Sequence, residues 1–275
     1  MFIPIEEVPF QQVVETWNQG FSDYLLPIHV DQEALERRIQ SFNLSKKLSA
    51  VFSVDGEFAG IILLGIQTFQ ETKVMWVGGM AVVPNYRRSK VASKLIDYAE
   101  SLAIENQCDH LILEVIATNE RAKQLYEAKG FQRVNELAVG EIMFPTVSSE
   151  KNEFHFKSVS SKEVAGIEKQ WTPWQNRSVF SDRNYEFYQE KSKIGSISFN
   201  LAEESDEKVL IIKQLHLLKI EDRSLILDML LTLKEQEHCD TVKLANFDME
   251  MPVYAELEKI GVALQLTQFQ LAKKC

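Results

Sequence analysis

Val82-Val83-Pro84-Asn85-Tyr86-Arg87-Arg88-Ser89-Lys90-Val91-Ala92-Ser93-Lys94-Leu95-Ile96 carries an apolar strand through a turn into a helix. Pro84 and Asn85 supply the turn, and Val91, Leu95, Ala99 and Leu102 recur behind it at helical spacing. A helix that starts this way points its first unbonded N–H groups, and the positive end of its dipole, at one place. Arg87, Arg88 and Lys90 surround that place. Two readings follow: a site for an anion, most naturally a pyrophosphate, or a solvated basic helix start.

A second stretch bears on the choice. In residues 111–131, Leu111, Leu113 and Val115 alternate as in a strand, and Asn119 stands where a helix cap belongs. Ala122, Leu125, Tyr126 and Lys129 then share a helical stripe, and Gly130 stands where a left-handed stop is wanted. Together the two stretches resemble the GNAT superfamily of N-acetyltransferases. In that family an Arg/Gln-x-x-Gly-x-Gly/Ala turn holds the acetyl-CoA pyrophosphate, and an Asn-x-x-Ala-x-x-Leu-Tyr-x-x-x-Gly-Phe segment follows the next strand. Asn119, Ala122, Leu125, Tyr126, Gly130 and Phe131 match the second motif. Val82, Pro84, Tyr86, Arg87 and Ala92 match the first, whereas Lys90 occupies the place of the family's inner glycine.

The 275 residues fit two domains of ordinary size, and an apolar content of 45% is that of a globular chain. The longest apolar run, Phe58 to Ile66, is about half of what a membrane helix needs. The chain opens with no charged and apolar leader, so no secretory signal and no membrane partner are expected. Cys108, Cys239 and Cys275 are too few and too scattered for a disulfide framework or a metal knuckle, which fits a reducing cytoplasm and no metal. A formal net charge of −10 argues against nucleic acid as a partner. It suits either attraction of a cationic amine or solubility alone.

The chain also repeats itself. Gln107-Cys108-Asp109 before strand 110–115 is answered by His238-Cys239-Asp240 before strand 241–246, and Glu127, Gly130 and Phe131 by Glu258, Gly261 and Val262. Gly60, in a strand, is likewise answered by Gly195, and strand 74–83 by 209–218. A repeat this long is a duplicated domain rather than a solenoid unit. The polar stretch 146–153 separates domains 1–147 and 150–275. In the first half, helices are expected within 10–20, 31–42, 88–104 and 119–129, with a hairpin over 48–69 turning at Asp55-Gly56. The second half follows the same order with a shorter helical section over 161–184. The expected fold is α/β: two tandem GNAT-like domains, each a mixed, mostly antiparallel sheet flanked by helices.

The two halves differ where chemistry is expected. Gly78-Gly79 becomes Lys213-Gln214, Tyr86-Arg87-Arg88 becomes Glu221-Asp222-Arg223, Asn119 becomes Glu250 and Tyr126 becomes Leu257. Carboxylates suit a helix start but are poor hosts for a phosphate. The second half reads as a copy that kept its core and lost its site.

Acyl transfer to an amine needs a held thioester, a neutral amine and a route for protons. A Gly-Gly pair within a strand marks a bulge or close backbone approach, or a bend needed for packing. The resemblance implies that the bulge splays the strand so that pantetheine slots beside it, paired with the Met80 and Val82 backbones. It implies a cofactor-binding set of Met80, Val82, Arg87, Arg88, Lys90, Ala92, Ser93 and Asn119, with acetyl-CoA as cosubstrate. Lys90 either adds its ammonium to the phosphate site or weakens it. An alkyl amine with a pKa of about 10.4 must lose its proton, at roughly 4–5 kcal/mol near neutral pH. Glu114 is a candidate base, although alternation also allows it to face solvent. Tyr126 is implied as the acid that returns a proton to the CoA thiolate, with a buried structural tyrosine as the alternative. Beside Trp17, the residues Phe21, Asp23, Tyr24 and His29 fall in the region that shapes the family's acceptor site. The expected activity is transfer of an acetyl group to a small-molecule or peptide amine within a ternary complex. The chain is expected to be a monomer whose second half packs like a dimer partner. The alternative, prompted by Lys90, is a CoA-binding sensor or interaction module whose catalysis has lapsed.

Overall fold

Continuous apolar runs and the Asp55-Gly56 turn fold the first half around an antiparallel hairpin of β2 (Ala50–Val54) and β3 (Glu57–Phe69). Asp55 and Gly56 have φ of 51° and 89°, the positive values that a two-residue hairpin turn demands. The computed structural model describes residues 1–26, 28–145, 153–219 and 223–275. The expected boundary stretch lies mostly outside these residues, and so does the Glu221-Asp222 pair. Contacts divide the chain into two units. The first comprises 1–114, 120–132 and 271–275, and the second 115–119 and 133–270.

In the first unit, β1 (Phe2–Pro4) precedes α1 (Phe10–Gly20) and α2 (Gln32–Ser41). Asp31 caps α2 by accepting from the Ala34 N–H at 2.7 Å. β4 (Thr72–Val82) follows the hairpin, and α3 (Val91–Glu105) leads to β5 (His110–Ile116) and α4 (Glu120–Ala128). Strand order is β1-β2-β3-β4-β5. All pairs are antiparallel except β4 with β5, which α3 joins as a crossover. α3 begins at Val91, later than its periodicity predicts, because Arg88 and Lys90 hold left-handed φ of 65° and 62° that a right-handed helix excludes.

The second unit repeats this plan. β7 (Phe154–Ser158), α5 (Ser161–Ala165), β8 (Arg183–Gln189), β9 (Ser192–Glu204) and β10 (Glu207–Leu217) come first. α6 (Arg223–Gln236), β11 (Thr241–Asp248), α7 (Pro252–Gly261) and β12 (Val262–Lys274) complete it. The expected helical section shrinks to α5 and two short 3-10 turns, Trp174–Asn176 and Ser178–Phe180. β6 (Gln132–Ile142), which follows α4 in the chain, groups with the second unit from 133 onward and pairs with β11 between Leu137 and Glu141, and residues 271–275 at the end of β12 group with the first unit. Each unit therefore includes residues from both halves of the sequence.

The repeated glycines have one physical cause. A Cβ on Gly60 would lie 2.9 Å from the Ala81 carbonyl oxygen, and one on Gly195 would lie 2.1 Å from that of His216. In both units the neighbouring strand's backbone occupies the space a side chain would need. Phe187, fully buried in the core of the second unit, would lie 2.7 Å from a Cβ on Gly195 as well. Because backbone cannot yield as a side-chain tip does, Gly195→Ala is expected to cost about 3 kcal/mol. Urea unfolding measures it, and a loss below about 1 kcal/mol would refute the close-approach reading.

Candidate functional site

Pairing of β3 with β4 slips between Leu63↔Gly79 and Leu64↔Val77, so Gly78 is an extra residue and β4 bulges there. On its other edge β4 pairs with β5 only from Val74↔His110 to Trp76↔Ile112. Beyond Trp76 the backbone of β4, including half-buried Met80 and Val82, has no further rung to β5 among the described residues. Packing and bulge together explain the glycine pair. A Cβ on Gly78 would meet Leu44 at 2.6 Å, and one on Gly79 would meet the Trp17 ring at 2.4 Å.

Arg38 of α2 reaches the same bulge. Its Nη2 donates to the Gly78 carbonyl at 2.8 Å, and its guanidinium carbon lies 5.9 Å from the Trp17 ring centre and 5.5 Å from that of Phe42. Burial lowers its pKa while the Glu114 carboxylate raises it, and an arginine so placed remains a cation. Glu114, half-buried on β5, thus lies within electrostatic reach of Arg38. Sequence reasoning missed Arg38, although a signal existed. Leu35, Arg38, Ile39 and Phe42 share a helical stripe on which Leu35 and Ile39 are buried, and a cation on such a stripe invites a question.

The basic turn is more tightly engaged than its sequence suggests. Arg87 donates from Nη1 and Nη2 to the two carboxylate oxygens of Asp23 at 2.5 and 2.6 Å. It also donates to the Gly20 and Val82 carbonyls at 3.3 and 3.2 Å. Two residues expected in separate roles, Arg87 at the cofactor and Asp23 at the acceptor, are therefore bonded to each other. The Arg87 hydrogen bond holds the Asp23 carboxyl below its ordinary pKa. Arg88 and exposed Lys90 complete the cationic turn. No side chain caps α3, whose first backbone bond runs from Lys94 N–H to Lys90 O at 3.1 Å. Ala92 and Ser93, half-buried, thus lie in a first turn with backbone N–H groups to offer.

Tyr126 of α4 is 7% exposed, and its ring centre lies 5.9 Å from that of Phe131. Burial, and secondarily Tyr24, push its pKa well above the usual phenol value, so it keeps its proton throughout the neutral range. Tyr24 meets Phe21 edge-on at 5.2 Å, and Phe21 lies against Trp17 at 4.6 Å. His29 is exposed, on a segment clipped down by reciprocal bonds between the Asn18 side chain and the Val30 backbone. Asn119 immediately precedes α4 but groups with the second unit, where its N–H bonds to Ile116 O at 2.8 Å.

The second unit keeps the bulge and closes the gap. Pairing of β9 with β10 slips between Ile212 and Gln214, making Lys213 the extra residue, and β10 pairs with β11 only as far as Ile212↔Leu244. Fully buried Asn176 fills the opening. Its Nδ2 donates to Lys213 O at 3.0 Å on β10, and to Ala245 O at 2.7 Å and Asn246 O at 2.8 Å on β11. Gln214 in turn donates to Asn176 O at 2.7 Å and to Glu168 at 3.1 Å, and Glu168 pairs with buried Arg177.

Residues 10–131 match the Acetyltransferase (GNAT) family. Over 83 residues the chain is 36% identical to N-alpha-acetyltransferase 30 of Dictyostelium discoideum, a match covering 30% of this chain and 45% of that protein. The chain thus spans about half the length of the curated relatives it matches. Its fold resembles the crystal structure of a GCN5-related N-acetyltransferase from Sphaerobacter thermophilus, with a TM-score of 0.68, 11% identity and coverage of 99% of this chain and 95% of that one. It also resembles a tandem GNAT protein from the clavulanic acid biosynthesis pathway, with a TM-score of 0.65, 12% identity and coverage of 100% and 98%.

Lys90 adopts the backbone that the family's glycine would adopt freely, and a Cβ there costs roughly 1–2 kcal/mol, partly offset by the greater chain entropy of glycine. Lys90→Gly should therefore stabilise the protein by about 0.5–1 kcal/mol in denaturant unfolding. A destabilised variant would mean that the lysine side chain makes a compensating contact.

Proposed function

We propose, because residues 10–131 match the Acetyltransferase (GNAT) family, that the chain is an acetyl-CoA-dependent N-acetyltransferase acting on a primary amine by direct attack in a ternary complex. The observation that carries this reading is the unpaired edge of β4 beyond its bulge, leading to an uncapped helix start ringed by cations. An extended molecule with amide groups at one end and phosphates at the other fits that edge and that turn. Acetyl-CoA, when bound, supplies an activated thioester carbonyl.

The chain's own groups account for the rest. The β4 edge, with Met80 and Val82, offers backbone donors and acceptors to the cosubstrate's amides, and bulge N–H groups suit an oxygen on which negative charge develops. The N–H groups of the first α3 turn and the Arg88 and Lys90 side chains suit phosphate oxygens. Arg87 serves this site through Asp23 and the end of α1, holding the turn in place. Tyr126, protonated at neutral pH, donates to the leaving thiolate. Glu114 or a water molecule removes the amine proton. The lapsed-module alternative rested on Lys90, yet this residue holds the backbone form the glycine would take. Acetyl transfer over an amine panel separates the two readings.

The bridging by Asn176 supports one cofactor site per chain. Calorimetric titration with CoA should return a stoichiometry of one, and a value of two would remove the reading of a spent second unit. Tyr126→Phe deletes only a hydroxyl, and a positioned acid is worth roughly a hundredfold in kcat. The variant should bind CoA nearly as tightly as the parent while turning over about a hundredfold more slowly. An unchanged kcat with the true acceptor would make Tyr126 structural.

A further inference from the structure

The bulge carbonyl is satisfied in both units, but by different chemistry. In the second unit a neutral amide, Asn176, donates to Lys213 O at 3.0 Å. In the first, the guanidinium of Arg38 donates to Gly78 O at 2.8 Å. Burying a cation costs far more than burying an amide. A carbonyl alone does not call for it.

Arg38 also has donors to spare. Nη2 is spent on Gly78 O, and Nε is enclosed without a hydrogen-bond partner. Nη1 is not enclosed, and it makes no hydrogen bond among the described residues. The head is held between Trp17 and Phe42, so its direction is fixed before any ligand arrives. This is a preorganised donor beside the bulge, at the α1–α2 side of β4.

We propose that Arg38 binds the acceptor, its Nη1 donating to an oxygen next to the reacting amine, so that acceptors are α-aminoacyl compounds rather than simple alkyl amines. The proposal rests on the acetyltransferase reading and names its substrate class. An oxygen bonded to Nη1 sits about 2.9 Å from it, and Nη2 of the same group touches the bulge. Amine and oxygen must therefore be separated by only a few bonds, as in an amino acid or a peptide N-terminus. Glu114, the carboxylate that acts on Arg38, gives the same region both signs of charge.

Initial rates with ethylamine, glycine, glycinamide and glycylglycine test this in the wild type, Arg38→Gln and Arg38→Lys. Arg38→Gln retains an amide donor for Gly78 O, and thermal unfolding checks that it folds; Arg38→Lys retains the charge if the glutamine variant does not. In the wild type the glycine compounds should exceed ethylamine at least tenfold in kcat/KM. Arg38→Gln should abolish that preference by raising KM for the glycine compounds at least tenfold more than KM for ethylamine, and Arg38→Lys should restore part of it. Glycine against glycinamide separates a carboxylate from a peptide carbonyl. Equal rates for ethylamine and glycinamide in the wild type, or equal slowing of every acceptor in Arg38→Gln, would overturn the proposal. If no amine is acetylated, the function reading fails on its own. Calorimetric titration of N-acetylglycine against N-ethylacetamide then still decides Arg38: a Kd at least tenfold higher for N-acetylglycine in Arg38→Gln supports it, and equal binding overturns it.

Discussion

A parallel strand pair that stops after Trp76↔Ile112 leaves backbone donors and acceptors that something must satisfy. That obligation governs the rest of the first unit. Gly78 and Gly79 let β4 bulge under Leu44 and Trp17, and the bulge directs a carbonyl at Arg38. The strand then runs into a turn whose two left-handed residues aim α3 back over the sheet. Bulge, edge and helix start form one continuous line of backbone polar groups, and a line of that kind favours an extended, amide-bearing, anionic ligand.

The second unit meets the same obligation from within. Its bulge at Lys213 and its short β10–β11 pairing reproduce the opening, and the Asn176 Nδ2 lies within hydrogen-bond distance of three carbonyls across it. Buried polar groups that are fully bonded rigidify a fold, whereas unbonded ones cost free energy. The two units thus face one mechanical problem and meet it in two ways.

Charge links the parts of the first unit. The Arg87–Asp23 pair is largely exposed on its acidic side, so its value lies in geometry rather than in stability. It joins the end of α1 to the turn before α3. Arg38 does the same at the bulge, from α2. Both arginines use the planar, multiply donating head that lysine lacks.

Much of this was legible in the sequence. The Asp55-Gly56 hairpin, α1, α2 and β5 follow from turn chemistry and period, and the paired glycines and Cys-Asp steps announce the duplication. The sequence by itself determined which segments form helices and strands, and which half keeps the acyltransferase-like motifs, because these depend on neighbours a few residues apart. Tertiary structure alone decided that Arg38 caps Gly78, 40 residues away, that Arg87 holds Asp23, 64 away, and that Asn176 bridges to Asn246, 70 away. It also decided that α3 starts late, at the price of two left-handed residues, and that β6 and the end of β12 change units. Periodicity carries no record of which distant carbonyl a side chain will meet; that depends on the backbone hydrogen bonds left over once the sheet has formed.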